Sequence, residues 1–207
     1  MKIINCEQRT DEWFTCRELH LSASKAHTII TNGKGLETYC RELVCEYVSE
    51  TREIQEPNEQ IQRGIDLEAT ARQYANEIFN KEFQEVGFCE YNCRIGSSPD
   101  GVIYDKDGNI TELIEIKCPN NARFIKQLIN DKPFDEYISQ MQMQLYTTNA
   151  KQCLYFAYNE NIKPYYFAKI ITPDAEIQEK LKKGLARGAE LIDRYLIEYF
   201  AKVENVQ

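Results

Sequence analysis

Two short segments hold residue types that could act together on one reacting group: Ser98-Pro99-Asp100-Gly101 and, further along, Glu115-Ile116-Lys117. Glu115 and Lys117 are two positions apart, so on a strand they share a face, while Ile116 turns to the other. Between the segments, Asp105-Lys106-Asp107-Gly108-Asn109 has the chemistry of a tight hairpin turn, which returns Asp100 beside Glu115. Two carboxylates and an ammonium then converge at one end of a sheet. Paired carboxylates suit hard divalent cations such as Mg²⁺. Such cations acidify a bound water and neutralise charge on a phosphoryl group. A neighbouring lysine can hold the nucleophile or stabilise developing negative charge. Phosphodiester hydrolysis needs that set. Alone, an Asp-Gly pair is ordinarily a turn and Glu-x-Lys a solvated strand face; their combination in one hairpin is more specific.

The elements that would position these groups follow from hydrophobic spacing. Residues 11–30 and 36–50 read as helices separated by the turn Asn32-Gly33-Lys34-Gly35, and Pro57-Asn58 opens a third helix running to about Asn80. After Gln84 the pattern becomes strand-like at 85–91, 94–97, 101–104 and 110–117. Helices are expected at 121–130 and 134–148, a second hairpin at 152–158 and 165–170, and a closing helix at 174–202. This order predicts an α/β fold: one domain over 1–207 with a central mixed β-sheet flanked by helices. Its parts would be N-terminal helices (11–80), the catalytic sheet and its helices (84–170) and the C-terminal helix.

Composition narrows the class. A length of 207 residues with 43% hydrophobic content supports one full core. No stretch reaches the roughly 20 apolar residues of a membrane span, and Met1-Lys2-Ile3-Ile4-Asn5-Cys6 turns polar too soon for a signal peptide, so an intracellular protein is expected. The eight cysteines lack any Cys-x-x-Cys, and only His20 and His27 accompany them. They read as reduced, small apolar residues rather than a zinc site or a disulfide scaffold. A net charge of −8 argues against a generic nucleic-acid binder, so any DNA track must be local.

Ser98-Pro99-Asp100-Gly101 with Glu115-Ile116-Lys117-Cys118-Pro119 resembles the PD-(D/E)XK nuclease superfamily, and more narrowly its lambda exonuclease and YqaJ recombinase branch. Three further blocks are similar to that branch, in its order: Trp13-Phe14-Thr15-Cys16-Arg17 with Leu21-Ser22-Ala23-Ser24, Gly64-Ile65-Asp66-Leu67-Glu68, and Ser139 to Tyr146 with its alternating glutamines. Together the blocks cover roughly residues 8–160. The resemblance implies that Asp100 bridges metal ions, that Glu115 and the carbonyl of Ile116 complete a metal site, and that Lys117 positions the attacking water. Glu68 would support the site from its helix, against the plainer reading of a surface charge. Gln142 would contact the nucleophile or the scissile phosphate, with Gln140 and Gln144 as alternatives. Arg17, Ser24 and Ser98 match positions that receive a 5′-terminal phosphate, a task suited to an arginine fork with hydroxyls. Ser24 also suits a helix cap, and Trp13 a core position. Arg123 and Lys126 are candidate phosphate contacts; Arg52, Gln60, Ile61, Gln62 and Arg63 are candidates to touch or wedge the duplex.

The function so implied is a Mg²⁺-dependent 5′→3′ exonuclease on linear double-stranded DNA that leaves 3′ single-stranded tails. Two ions are expected, with Mn²⁺ able to substitute. The expected partners are DNA with a 5′-phosphorylated end, two further copies in a homotrimeric ring, and a single-strand annealing protein, in the cytoplasm of a bacterium hosting a phage or prophage. An endonuclease of the same fold and a catalytically silent DNA-binding module are the competing readings. The silent module is disfavoured by the presence of all four charged groups.

Overall fold

The computed structural model describes residues 1–49 and 58–205. Arg52, Pro57 and the side chains of Gln60 and Ile61 lie outside the described residues. In chain order the elements are β1 (Lys2–Ile4), α1 (Asp11–Cys16), β2 (Leu21–Ser22), a 3-10 turn (Ala23–Lys25), α2 (Ala26–Thr31), α3 (Lys34–Val48) and α4 (Glu59–Phe79). Then come β3 (Phe88–Asn92), β4 (Ile95–Ser97), β5 (Gly101–Tyr104), β6 (Ile110–Lys117), α5 (Asn121–Asn130) and α6 (Asp135–Thr148). The chain closes with β7 (Gln152–Tyr158), β8 (Tyr166–Ile171) and α7 (Ala175–Glu204).

The class is mixed α/β, as expected, but the strands divide between two four-stranded sheets, ordered β1-β3-β4-β2 and β5-β6-β7-β8. The second sheet carries the hairpin. Its β5–β6 pair is antiparallel, with Gly101 opposite Ile114, and β6 then pairs in parallel with β7, with Glu115 opposite Tyr155 and Lys117 opposite Ala157. A parallel pair needs a long crossover, which α5 and α6 supply.

This sheet is covered on both faces, which explains the continuous apolar run of β7. Leu113, Cys153, Tyr155 and Ala157 pack with Phe124, Met141 and Leu145 of α5 and α6. Ile114, Ile116, Leu154 and Phe156 pack on Ala71 and Ala75 of α4. Fully burying a side chain such as Phe124 or Phe156 contributes about 1.5–3 kcal/mol. A third cluster joins α2, α3 and α7. There Gly184 lets α7 approach α2 so closely that an added Cβ would lie 2.1 Å from the Ile29 carbonyl oxygen.

The expected helix over 11–30 is broken. Leu19 adopts a left-handed backbone (φ 58°), and β2 then pairs in parallel with β4, with Leu21 N–H donating to Arg94 O at 2.8 Å. A long-range ladder outweighs local helical spacing here. β1 is absent from the sequence reading. All eight cysteines are free thiols, and among the described residues no helix is long and apolar enough to cross a membrane.

Candidate active site

The hairpin delivers its charges as the strand period requires. Pairing of Gly101 with Ile114 sets Asp100 against the end of β6, where its Oδ2 accepts from the Ile116 N–H at 2.6 Å. Glu115 and Lys117 share a face, and the Lys117 ammonium pairs with Glu115 Oε1. Glu115 is fully buried. Burial of a carboxylate is tolerable only with partners, and α6 supplies two more: Gln140 Nε2 donates to Oε1 at 2.7 Å and Gln144 Nε2 to Oε2 at 2.6 Å. Gln140 and Gln144 are four apart and share a helix face.

Gln142 therefore does not take the role that the resemblance gave it. It lies between those two on the far face of α6, where its amide donates to Thr172 O at 2.8 Å and accepts from Asp174 N–H at 2.8 Å, fixing the start of α7. Gln140 is the glutamine that lines the cleft.

Glu68 reaches the same cleft from α4. Its carboxylate is held on Oε1 by Arg72 at 3.0 Å, and on Oε2 by Arg9. The cleft, of about 440 Å³, is lined by Glu68, Asp100, Glu115, Ile116, Lys117 and Gln140, among others. Its charges are strongly coupled. Burial, then the negative charges of Glu115 and Glu68, push the Asp100 carboxyl well above the usual range, against the pull of Lys117. Burial works against the Lys117 ammonium, but Glu115 and Asp100 outweigh it and raise its pKa. Burial also pushes the Cys118 thiol up to about 12, so it remains protonated.

The donor chemistry fits a hard divalent cation: the mutually repelling carboxylates of Glu68, Asp100 and Glu115, all oxygen donors, line one cleft together with Ile116. Among the described residues no three His, Cys, Asp or Glu side chains form a ready-made cage, because Glu68 and Glu115 are turned to cationic or amide partners. Gln144 Oε1 beside Glu115 is a buried acceptor without a partner.

The expected phosphate-binding residues fall in two places. The Arg17 guanidinium lies 3.7 Å over the Trp13 ring, and Trp13 Nε1 donates to Ser98 Oγ at 2.9 Å, so buried Trp13 joins Arg17 to Ser98. Ser24 is exposed and bonds Ser22 Oγ at 3.1 Å, which in turn meets Tyr39 OH. It sits inside the 3-10 turn and caps no helix. Arg123 lines the cleft, bonded to Glu136 and to Tyr137 OH at 2.9 and 3.1 Å. Lys126 is exposed, its ammonium 5.6 Å from the Phe134 ring.

Arg63, a candidate to touch the duplex, turns Nη1 inward, donating to Cys118 O at 2.8 Å and Pro119 O at 3.2 Å. Gln62 bonds Asp66 on its own helix at 2.8 Å. Gln140, an expected alternative, lines the cleft, and so do Arg9 and Tyr137, which the sequence reading did not single out. The four-residue spacing of Gln140 and Gln144 was the available signal for the glutamines; Arg9 and Tyr137 carry none.

A mixed sheet that presents Asp100, Glu115 and Lys117 from one hairpin, with Glu68 from the covering helix, defines the PD-(D/E)XK nuclease fold class. Within it, the chain belongs to the YqaJ-like viral recombinase domain family, whose model matches residues 12–151. It is similar to an alkaline exonuclease, LHK-Exo, from Laribacter hongkongensis, with 34% identity over 94% of this chain and 100% of that one (TM-score 0.78). The same values hold for LHK-Exo in complex with dAMP. A phage-related exonuclease from Haemophilus somnus 129PT shares the fold at 16% identity over 88% of this chain and 97% of that one (TM-score 0.67). No curated protein matches.

Proposed function

We propose that the chain is a divalent-cation-dependent nuclease that degrades linear double-stranded DNA from its 5′ ends, in the 5′→3′ direction, and leaves 3′ single-stranded tails. The observation that carries this reading is the meeting of Asp100, Glu115 and Lys117 with Glu68 in one cleft. The similarity to an alkaline exonuclease along nearly the whole chain supports the same reaction class. Asp100, Glu115, Glu68 and the Ile116 carbonyl would hold Mg²⁺, two ions in the full site, with Mn²⁺ as a substitute. The cation supplies Lewis acidity and an acidified water.

The chain's own groups do the rest. Lys117, kept charged by Glu115 and Asp100, orients the water and stabilises negative charge at the phosphate. Gln140 and Gln144 fix Glu115 so that it cannot rotate away. Arg17 and Ser98, joined through Trp13, and Ser24 receive the 5′-phosphate; Arg123 and Lys126 contact the backbone beyond it. A homotrimeric ring would keep the enzyme on its track, and an annealing protein would coat the tail, in the cytoplasm of a phage-bearing bacterium.

The test uses linear duplex with and without a 5′-phosphate, and closed circular DNA, each in Mg²⁺ and in EDTA. Digestion of the phosphorylated linear duplex alone, from its 5′ ends and only with metal, is expected. Cutting of the circle would make the chain an endonuclease, and no cutting under any metal a DNA-binding module. Arg17→Ala should weaken the preference for a 5′-phosphate. Sedimentation of the free protein reads the ring.

A further inference from the structure

Glu68 is bound by two arginines of unequal standing. Arg72 lies four residues on along α4 and is largely buried, with 12% of its side chain exposed. It is also tied to Glu85. Arg9 comes from a distant segment and leaves 41% of its side chain exposed at the rim of the cleft. Its backbone is left-handed (φ 71°). That conformation is costly for a side chain of this size and persists where the surroundings impose it. Gln8 imposes it, because its amide donates to Val86 O at 2.8 Å and Pro99 O at 3.1 Å. Arg9 is thereby fastened to the residue that precedes Asp100 and aimed across the cleft at Glu68.

The Arg9–Glu68 pair is also a partition. On one side lies the catalytic cleft, and on the other a cavity of about 480 Å³ that shares Arg9, Ile65 and Glu68 with it. A guanidinium and a divalent cation compete for the same carboxylate. When a cation takes Glu68, Arg72 keeps its place through Glu85, and Arg9 is the partner free to leave.

We propose that Arg9 is a removable counter-cation. It neutralises Glu68 while the cleft is empty, and on entry of a divalent cation with a DNA end it turns its guanidinium to a phosphate. This rests on the nuclease reading above.

Mn²⁺ titration without DNA, followed by calorimetry, tests the first half; duplex binding in Ca²⁺ over a salt series tests the second. Arg9→Met should bind Mn²⁺ about three- to fivefold more tightly, the scale of a partly exposed ion pair. Its duplex affinity should fall, and the slope of log affinity against log salt should drop by about one. Arg9→Lys should keep the slope. Unchanged or weaker Mn²⁺ binding by Arg9→Met, or an unchanged slope, overturns the proposal. If Asp100→Asn binds Mn²⁺ as wild type does, the cation reading of the cleft has failed, and this proposal with it.

Discussion

Gln144 donates to Glu115 Oε2 at 2.6 Å across the boundary between α6 and β6, and this bond fixes which glutamines of the helix serve the cleft. Gln144→Leu strands a carboxylate oxygen in the interior. It should cost about 1–3 kcal/mol in denaturant unfolding and lower kcat. Gln142→Ala should loosen only the start of α7 and leave kcat close to wild type. The reverse pattern would restore Gln142 to the site.

Lys117 pairs with Glu115 and is held charged within the cleft. Lys117→Ala should reduce cleavage of linear duplex by at least about a hundredfold while binding in Ca²⁺ persists. Retained cleavage would remove Lys117 from the chemistry.

Arg63 clamps the turn immediately after Lys117 by donating to Cys118 O and Pro119 O, and Asn159 adds a 3.1 Å bond to the same Pro119 oxygen. Arg63→Ala should lower kcat by about tenfold, because small misplacements of reacting groups are expensive. KM for DNA should hold. A rise in KM with a shallower salt dependence would mean that Arg63 contacts the duplex.

Gly184→Ala places a Cβ against the main chain of Ile29, where no flexible side chain can yield. Thermal or denaturant unfolding should show a loss of about 1–3 kcal/mol. Unchanged stability would mean that α2 and α7 can separate freely.

Burial opposes the Glu112 charge, but Lys81 and Gln152 outweigh it and hold its pKa below the usual value. A depressed native pKa gives stability that is present above the unfolded value, about 4.3, and lost as pH falls through the native one. Glu112→Gln should therefore lower stability by up to about 1 kcal/mol at neutral pH. Its gap to wild type should close in acid. A gap that stays constant as the pH falls would mean the charge contributes nothing.

The hairpin of β5 and β6 that carries Glu115 and Lys117 was legible because its determinants are local. The Asp105-to-Asn109 turn and the alternation of β6 fix the register, and β5 and β6 fall where the spacing placed them. What escaped was set at long range. The break at Leu19 is decided by pairing with β4, and three-residue β1 exists only through its partner β3. α6 is buried on nearly every side from Ser139 to Thr148, so no polar face betrays its rotation and Gln140, Gln142 and Gln144 look equivalent in sequence. The inward contact of Arg63, expected as a duplex candidate, and the place of Arg9 in the cleft escaped because their partners lie far along the chain.

The parallel pairing of β6 with β7 has a consequence for synthesis on the ribosome. Glu115 and Lys117 lie on β6, yet the strand that flanks them, β7, is made only after α5 and α6. A nascent chain that has displayed Asp100, Glu115 and Lys117 still lacks the neighbour that holds β6 in place and the helix that supplies Gln140 and Gln144. Vectorial folding thus delays the assembled cleft until Tyr158 has cleared the exit tunnel. Fragments that end before that residue lack part of the strand that pairs with β6.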